Sequence, residues 1–143
     1  MLTNSSKYAI KAVLFLAVHS NEDNKLMVKD IFDRINVPQQ YLAKILQELA
    51  KRDVISSSRG PKGGFYLNDT NKKLPLISIV DVIEGRHRLQ SCMLSIKECD
   101  SENPCALHDL VGSANSHFLK NLEETTIEDL IASIEKGKAI LPL

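Results

Sequence analysis

The segment "LMVKDIFDRINVPQQYLAKILQELAKRDVI", residues 26–55, decides the fold. Val28, Ile31, Phe32 and Ile35 recur at i, i+3, i+4 and i+7, the spacing of a short amphipathic helix. Asn36 can take the left-handed conformation that ends a helix, and Pro38 suits the first turn of the next one. Leu42, Ile45, Leu46 and Leu49 then repeat the spacing over a longer helix. Two helices joined by so tight a turn predict a helix-turn-helix. Any helical hairpin gives the same pattern, so a DNA-binding reading needs further support.

The next stretch, "VISSSRGPKGGFYLND" (54–69), supplies it. Its β-prone ends, Val54-Ile55 and Phe65-Tyr66-Leu67, flank a Gly/Pro turn carrying Arg59 and Lys62. A basic hairpin directly after a helix-turn-helix predicts a winged helix. Gly60, Gly63 and Gly64 let the backbone turn tightly and approach phosphates closely. The N-terminal residues of a recognition helix meet base edges in the major groove. Here these are Gln39, Gln40, Tyr41, Ala43, Lys44 and Gln47, around the apolar Leu42, Ile45, Leu46 and Leu49. Glutamine can bond adenine bidentately and lysine can reach guanine or phosphate, whereas Tyr41 is read as a phosphate or packing residue. Lys51, Arg52 and Lys62 are expected on phosphates, where they add affinity without sequence information. The plain alternative for all of these side chains is a solvated surface.

Charge is distributed to match. The 143 residues carry no net charge, yet residues 1–73 hold twelve Lys and Arg against seven Asp and Glu, and residues 74–143 hold six against eleven. A basic half joined to an acidic half suggests that the first half meets a polyanion. The longest strictly apolar run, Ala12 to Val18, is far short of a membrane span, and no secretory leader is evident. A cytoplasmic protein is therefore expected. No nucleophile–base constellation or phosphate loop points to an enzyme.

The remaining segments follow from periodicity. "SSKYAIKAVLFLAVHS" (5–20) reads as a buried, serine-capped first helix, and "NKKLPL" (71–76) as a linker. "SIVDVIEG" (78–85) reads as a short helix with Ser78 and Asp81 as a capping box and Gly85 at its end. A polar loop follows. Asn103-Pro104 marks the start of a helix of about 18 residues, whose stripe of Leu107, Leu110, Val111, Ala114, Phe118 and Leu122 is expected to pair two copies of the chain. Thr126 and Asp129 cap a last helix closed by Gly137.

All three cysteines, Cys92, Cys99 and Cys105, lie in "QSCMLSIKECDSENPCALHDL" (90–110) with His108 after them, in the spacing C-x6-C-x5-C-x2-H. In a reducing compartment such a cluster reads as a metal or redox site and not as disulfides. Thiolates are the usual ligands of iron–sulfur clusters, and histidine can replace a cysteine on one iron. Cys105 and His108, three apart at the expected helix start, can face one point, and the helix end would favour the Cys105 thiolate. Zinc accepts the same donors, though its structural sites usually include a shorter Cys–Cys interval. A metal-free thiol sensor is the third reading. Donor chemistry alone leaves iron–sulfur and zinc level. The polar "SIKECDSEN" (95–103) has little apolar surface with which to order itself unless metal binds. His19, His87 (in a charged turn between Arg86 and Arg88) and His117 are read as ordinary polar positions.

"SRGPKGG" after a helix-turn-helix, then a cysteine loop ending "NPCALH", then "FLKNLEETTIEDL" (118–130), resembles the bacterial winged-helix regulators that include IscR, NsrR and CymR. The resemblance spans roughly residues 1–135. It implies a mainly α fold with a small β wing, in which residues 1–73 form the winged helix-turn-helix domain and residues 74–143 the cysteine loop and a long C-terminal dimerisation helix. It also implies a homodimer on a double-stranded DNA operator, with Arg59 entering the minor groove. The cysteine triad, which CymR lacks, tips the balance toward an iron–sulfur cluster on Cys92, Cys99, Cys105 and His108. This would make the chain a repressor-like regulator sensing cluster supply, nitric oxide or redox state, with the cluster prone to loss in air. The alternative is a zinc- or thiol-based interaction module without direct DNA function. NsrR-type four-iron clusters take an aspartate from the partner's first helix. The matching residue here is Lys7, so the two-iron IscR pattern is favoured, although the first cysteine interval is one residue longer than in IscR. In IscR a glutamate at the Ala43 position tunes sequence choice, and alanine here implies that this switch is absent.

Overall fold

The computed structural model describes residues 2–94 and 97–142. The chain runs α1 (Asn4–His19), α2 (Val28–Ile35), α3 (Gln39–Lys51), β1 (Ser56–Ser58), β2 (Gly64–Tyr66), α4 (Asp69–Lys72), α5 (Ile77–Ile83), α6 (Arg86–Gln90), a π-helical turn (His108–Gly112), α7 (Ser113–Glu124) and α8 (Ile127–Glu135).

The central element is α1. Ala9, Ala12, Val13, Phe15 and Leu16 are essentially inaccessible to solvent, as a helix apolar nearly all round must be. It packs against α2 and α3 on one side and against α5 and α8 on another. Ile31, Ile35, Leu42, Leu46 and Leu49 come from the first half of the chain, and Ile79, Val80, Leu122 and Ile127 from the second. All join one hydrophobic cluster, so the two halves share a core built on α1.

The helix-turn-helix forms as its spacing predicts. Asn36 closes α2 with φ 55° and ψ 52°, a left-handed cap that asparagine tolerates. Pro38 stands immediately before α3 with an extended ψ of 134°. The wing is a two-stranded antiparallel ribbon with Ser57 opposite Phe65. Its first strand is Ser56–Ser58, because Val54 and Ile55 turn into the core instead. Leu26 adds a one-residue bridge to the ribbon, donating to the Phe65 carbonyl at 2.9 Å and accepting from its N–H at 2.7 Å.

Several local expectations are corrected. Thr3, not a serine, caps α1 by accepting the Ser6 N–H at 3.2 Å. The expected linker begins inside α4, which is capped by Asn68 and ends with Asn71 and Lys72. Ser78 lies inside α5 and makes no capping box, because the helix starts at Ile77 after an uncapped Leu76. His87 lies in α6 and not in a turn. The helix expected from Pro104 begins at His108 as a π turn and continues as α7, so Cys105 is not at a helix start. Thr126 and Asp129 do form the capping box of α8.

Candidate nucleic-acid interface and cysteine site

The wing and the start of α3 form one exposed basic surface. Gln39, Gln40, Lys44, Gln47, Lys51, Arg52, Arg59 and Lys62 are all exposed. A cleft of about 520 Å3 runs between the start of α2, the start of α3 and the wing, lined by Lys29, Gln39, Arg59 and the wing glycines among others. A second, of about 500 Å3, lies on the other side of the wing beside Gln47 and Lys51. Among the described residues, the ion pairs join Arg86 to Asp81, Arg88 to Glu84 and Lys120 to Glu124, all in the second half of the chain. Among the described residues, no ion pair to a carboxylate is seen for the cations of the helix-turn-helix and wing.

The wing turn depends on glycine at two places. A Cβ on Gly63 would lie 2.4 Å from the Ser58 carbonyl oxygen. Gly64, at φ +150°, brings its backbone so close to Leu26 that a Cβ would lie 2.8 Å from the Leu26 carbonyl oxygen. These contacts fix the hairpin to Leu26, just before α2, and Arg59 lines the same cleft as Gln39.

Tyr41 is placed differently from the other α3 residues. Its ring meets that of Tyr8 edge-on at 5.7 Å, and its hydroxyl hydrogen-bonds the Ser5 hydroxyl. It packs α3 against the first turns of α1. Lys29, in the first turn of α2, also lines the cleft; in the sequence its only signal is that position.

Cys92 and Cys99 lie on a small hairpin, and Cys105 follows it. Ser91 and Glu98 form an antiparallel bridge, the Cys92 N–H donates to the Lys97 carbonyl at 2.8 Å, and the Cys99 N–H donates to the Gln90 carbonyl at 3.3 Å. Ser95 and Ile96, within the stretch expected to order only with metal, lie outside the described residues. Asp100 follows as a turn residue, accepting the Glu102 N–H at 2.8 Å and the Asn103 amide at 3.0 Å. These bonds hold its carboxyl below the ordinary carboxylate value.

Two contacts are seen among the four expected donors. Cys99 Sγ lies 3.2 Å from His108 Nδ1. Cys105 is hydrogen-bonded to Cys92, which pushes its thiol pKa up and outweighs the opposing bond from the Leu107 N–H. The thiolate preference expected for Cys105 is thus reversed, since no helix begins there and a second thiol adjoins it. His108 is presented by the π turn, and its ring lies 3.4 Å from where a Cβ on Gly112 would stand. His108 therefore meets Cys99 and not Cys105. Among the described residues no group of three or more His, Cys, Asp or Glu side chains is gathered for a single metal ion. Among the described residues no disulfide joins Cys92, Cys99 or Cys105.

No described helix is long and apolar enough to cross a membrane. The Rrf2 family, described as "Iron-dependent Transcriptional regulator", matches residues 2–133. A helix-turn-helix transcriptional regulator of Aquifex aeolicus is 31% identical, covering 95% of this chain and 94% of its own. The regulator NsrR of Geobacillus kaustophilus is 30% identical, covering 98% and 95%. The solved structure of T. potens IscR superposes with a TM-score of 0.73 at 19% identity, covering 97% and 91%, which bears on the fold alone. These relatives are transcriptional regulators and not enzymes. With its helix-turn-helix, wing and match over almost its whole length, the chain belongs to the Rrf2 family of DNA-binding transcriptional regulators.

Proposed function

We propose that this regulator senses iron–sulfur status, nitric oxide or redox state through a cluster held by Cys92, Cys99, Cys105 and His108. The observation that carries the reading is the two-by-two arrangement of the donors, Cys99 with His108 and Cys92 with Cys105. A single tetrahedral ion asks for four donors around one point. A two-iron cluster asks for two donors on each of two irons, and accepts imidazole in place of thiolate. The residues therefore fit a two-iron cluster in kind and in pairing better than a mononuclear zinc site. When bound, such a group supplies a redox- and nitric-oxide-sensitive centre.

The chain's own residues do the rest. The hairpin backbone bonds bring Cys92 and Cys99 onto facing strands, and the π turn delivers His108 to Cys99. Ligand binding supplies free energy that can bias the shape of the loop and of what it touches. On the DNA side, Gln39, Gln40 and Lys44 would read base edges, Arg59 the minor groove, and Lys51, Arg52 and Lys62 phosphates. Tyr41 is assigned to packing. The same reading makes the protein a cytoplasmic homodimer through the π turn and α7, where Leu110 is 75% exposed and Ala114 is exposed, while Leu122 belongs to the chain's own core and Phe118 packs against it.

The test is the iron and acid-labile sulfide content after anaerobic reconstitution. Wild type is expected to take up iron and sulfide in equal amounts and to colour, and Cys105→Ala to remain colourless with its helical circular dichroism intact. Equal and negligible iron in both would sink the reading in favour of zinc or a bare thiol sensor.

A further inference from the structure

The start of α1 is tied down twice. Thr3 caps it locally by accepting the Ser6 N–H at 3.2 Å. A carboxylate from the end of α5, 81 positions along the chain, then binds the same turn. One oxygen of Glu84, Oε1, accepts from the Thr3 N–H at 2.9 Å and from the hydroxyls of Thr3 and Ser6. The other, Oε2, faces Arg88 Nε at 3.4 Å, and the Glu84 side chain is only 3% exposed. Ser6 itself is fully buried. A helix that already has its local cap needs no such partner to form, and burying a charge is costly unless its bonds are kept. The carboxylate therefore has a use beyond capping.

Its neighbours on either side indicate that use. Glu84 stands between α5 and α6. Arg88, on α6, is four residues on, and Gln90 at the end of α6 accepts the Cys99 N–H. Toward the DNA side, Ser5 lies in the very turn that Glu84 holds, and its hydroxyl bonds Tyr41 in the first turn of α3, where Tyr8 also packs. From the cysteine hairpin, the Cys99 N–H reaches Gln90 at the end of α6; Arg88, two residues earlier on the same helix, pairs with Glu84; Glu84 holds the first turn of α1, whose Ser5 bonds Tyr41 in the turn of α3 that carries Gln39 and Gln40.

We infer that Glu84 is a positioning residue for DNA reading, a relay that sets the pose of the recognition helix α3 through the first turn of α1 and carries the state of the cysteine hairpin to it. The second half of this statement rests on the proposed cluster. The first half does not. The carboxylate touches neither DNA nor metal. It acts by fixing the turn that carries Ser5, so that a shift of α6 displaces Tyr41 and with it the start of α3. Hydrogen bonds to a buried charge are stronger than those between neutral groups, which makes this connection stiff.

The experiment has two arms. In the first, metal-free protein is titrated with a duplex that the wild-type protein has selected from a random-sequence pool. Ser5→Ala and Glu84→Ala are each expected to weaken binding about fivefold or more, and the double variant to bind no worse than the weaker single one, because both break the same connection. Glu84→Gln, which keeps the acceptor oxygen, is expected to restore most of the affinity. Effects that multiply in the double variant overturn the relay. So does a Glu84→Ala protein that melts earlier but binds DNA as wild type does, since that is a structural cap and nothing more. Should Glu84→Ala fail to fold, Ser6→Ala takes its place in the same cycle. In the second arm the proteins are reconstituted anaerobically with iron and sulfide. The ratio of loaded to metal-free affinity is expected to differ from one in wild type and to approach one in Glu84→Ala at unchanged iron content. A retained ratio overturns the transmission. If wild type takes up no iron, the cluster reading has failed, and the first arm alone decides the role of Glu84.

Discussion

The helix-turn-helix with its wing and the cysteine hairpin are held together by different physics. In the first, Ile31, Ile35, Leu42, Leu46 and Leu49 are wholly buried, and the polar side chains stand outside them on a stable frame. In the second, Met93 and Leu94 are more than 60% exposed, and the contacts among the described residues of the hairpin are backbone hydrogen bonds, thiol contacts and the Asp100 turn. A buried aliphatic contributes roughly 1.5–3 kcal/mol each, whereas an intramolecular hydrogen bond nets about 0.5–1.5 kcal/mol. The comparison teaches that the helix-turn-helix is held by buried aliphatic side chains and the cysteine hairpin by polar contacts, which on the proposed reading leaves the hairpin's shape to be set by a bound cluster.

That contrast can be broken by substitution. Leu46→Ala should cost about 2–5 kcal/mol of stability, whereas Cys92→Ala in metal-free protein should cost less than about 1 kcal/mol. Denaturant midpoints of the two variants check this, and similar losses would show that the hairpin carries part of the core's stability. On the DNA side, Arg59→Ala and Gln40→Ala should each lose about 1–3 kcal/mol of specific binding, while Lys62→Ala should weaken all sequences alike and reduce the salt slope by about one. Fluorescence anisotropy against selected and scrambled duplexes separates the two outcomes.

The dimer reading can be sharpened in the same way. Of the apolar stripe expected to pair two copies, Phe118 and Leu122 are spent on the chain's own core, and Leu110 is left exposed. Leu110→Lys should therefore raise the dimer dissociation constant about tenfold or more, since like charges would meet across a two-fold axis. Sedimentation measures this, and an unchanged dimer would move the interface elsewhere. The smallest effect belongs to Glu84. Burial pushes its carboxyl up, but the hydrogen bonds from Ser6 and Thr3 and the Arg88 charge outweigh burial and hold it below the ordinary 4.5. Its folded-state pKa is thus depressed, so its contribution is complete above 4.5 and is lost as pH falls through the lowered value. Glu84→Gln should flatten the acid limb of the stability curve by at most about 1 kcal/mol, as chemical denaturation at a series of pH values would show.

The sequence by itself determined the winged helix. Val28, Ile31 and Ile35, then Leu42, Ile45 and Leu49, state their helices through spacing, Asn36 states the turn, and the glycines state the wing, because each of these signals acts over a few residues. It also named the four candidate donors, whose chemistry is legible in their identity. It misjudged what depends on neighbours distant along the chain. Ser78 looked like a cap and is not one, because α5 starts at Ile77, two residues before the start that such a cap implies. Cys105 looked like a thiolate at a helix start, but the π turn begins at His108 and Cys92 adjoins it. Only the tertiary structure decided that His108 meets Cys99, that Tyr41 leans on Ser5 and Tyr8, and that Glu84 reaches Thr3 across 81 positions of chain. Periodicity reports which face of an element is apolar, but polar partnerships are chosen by where packing on α1 brings distant segments together.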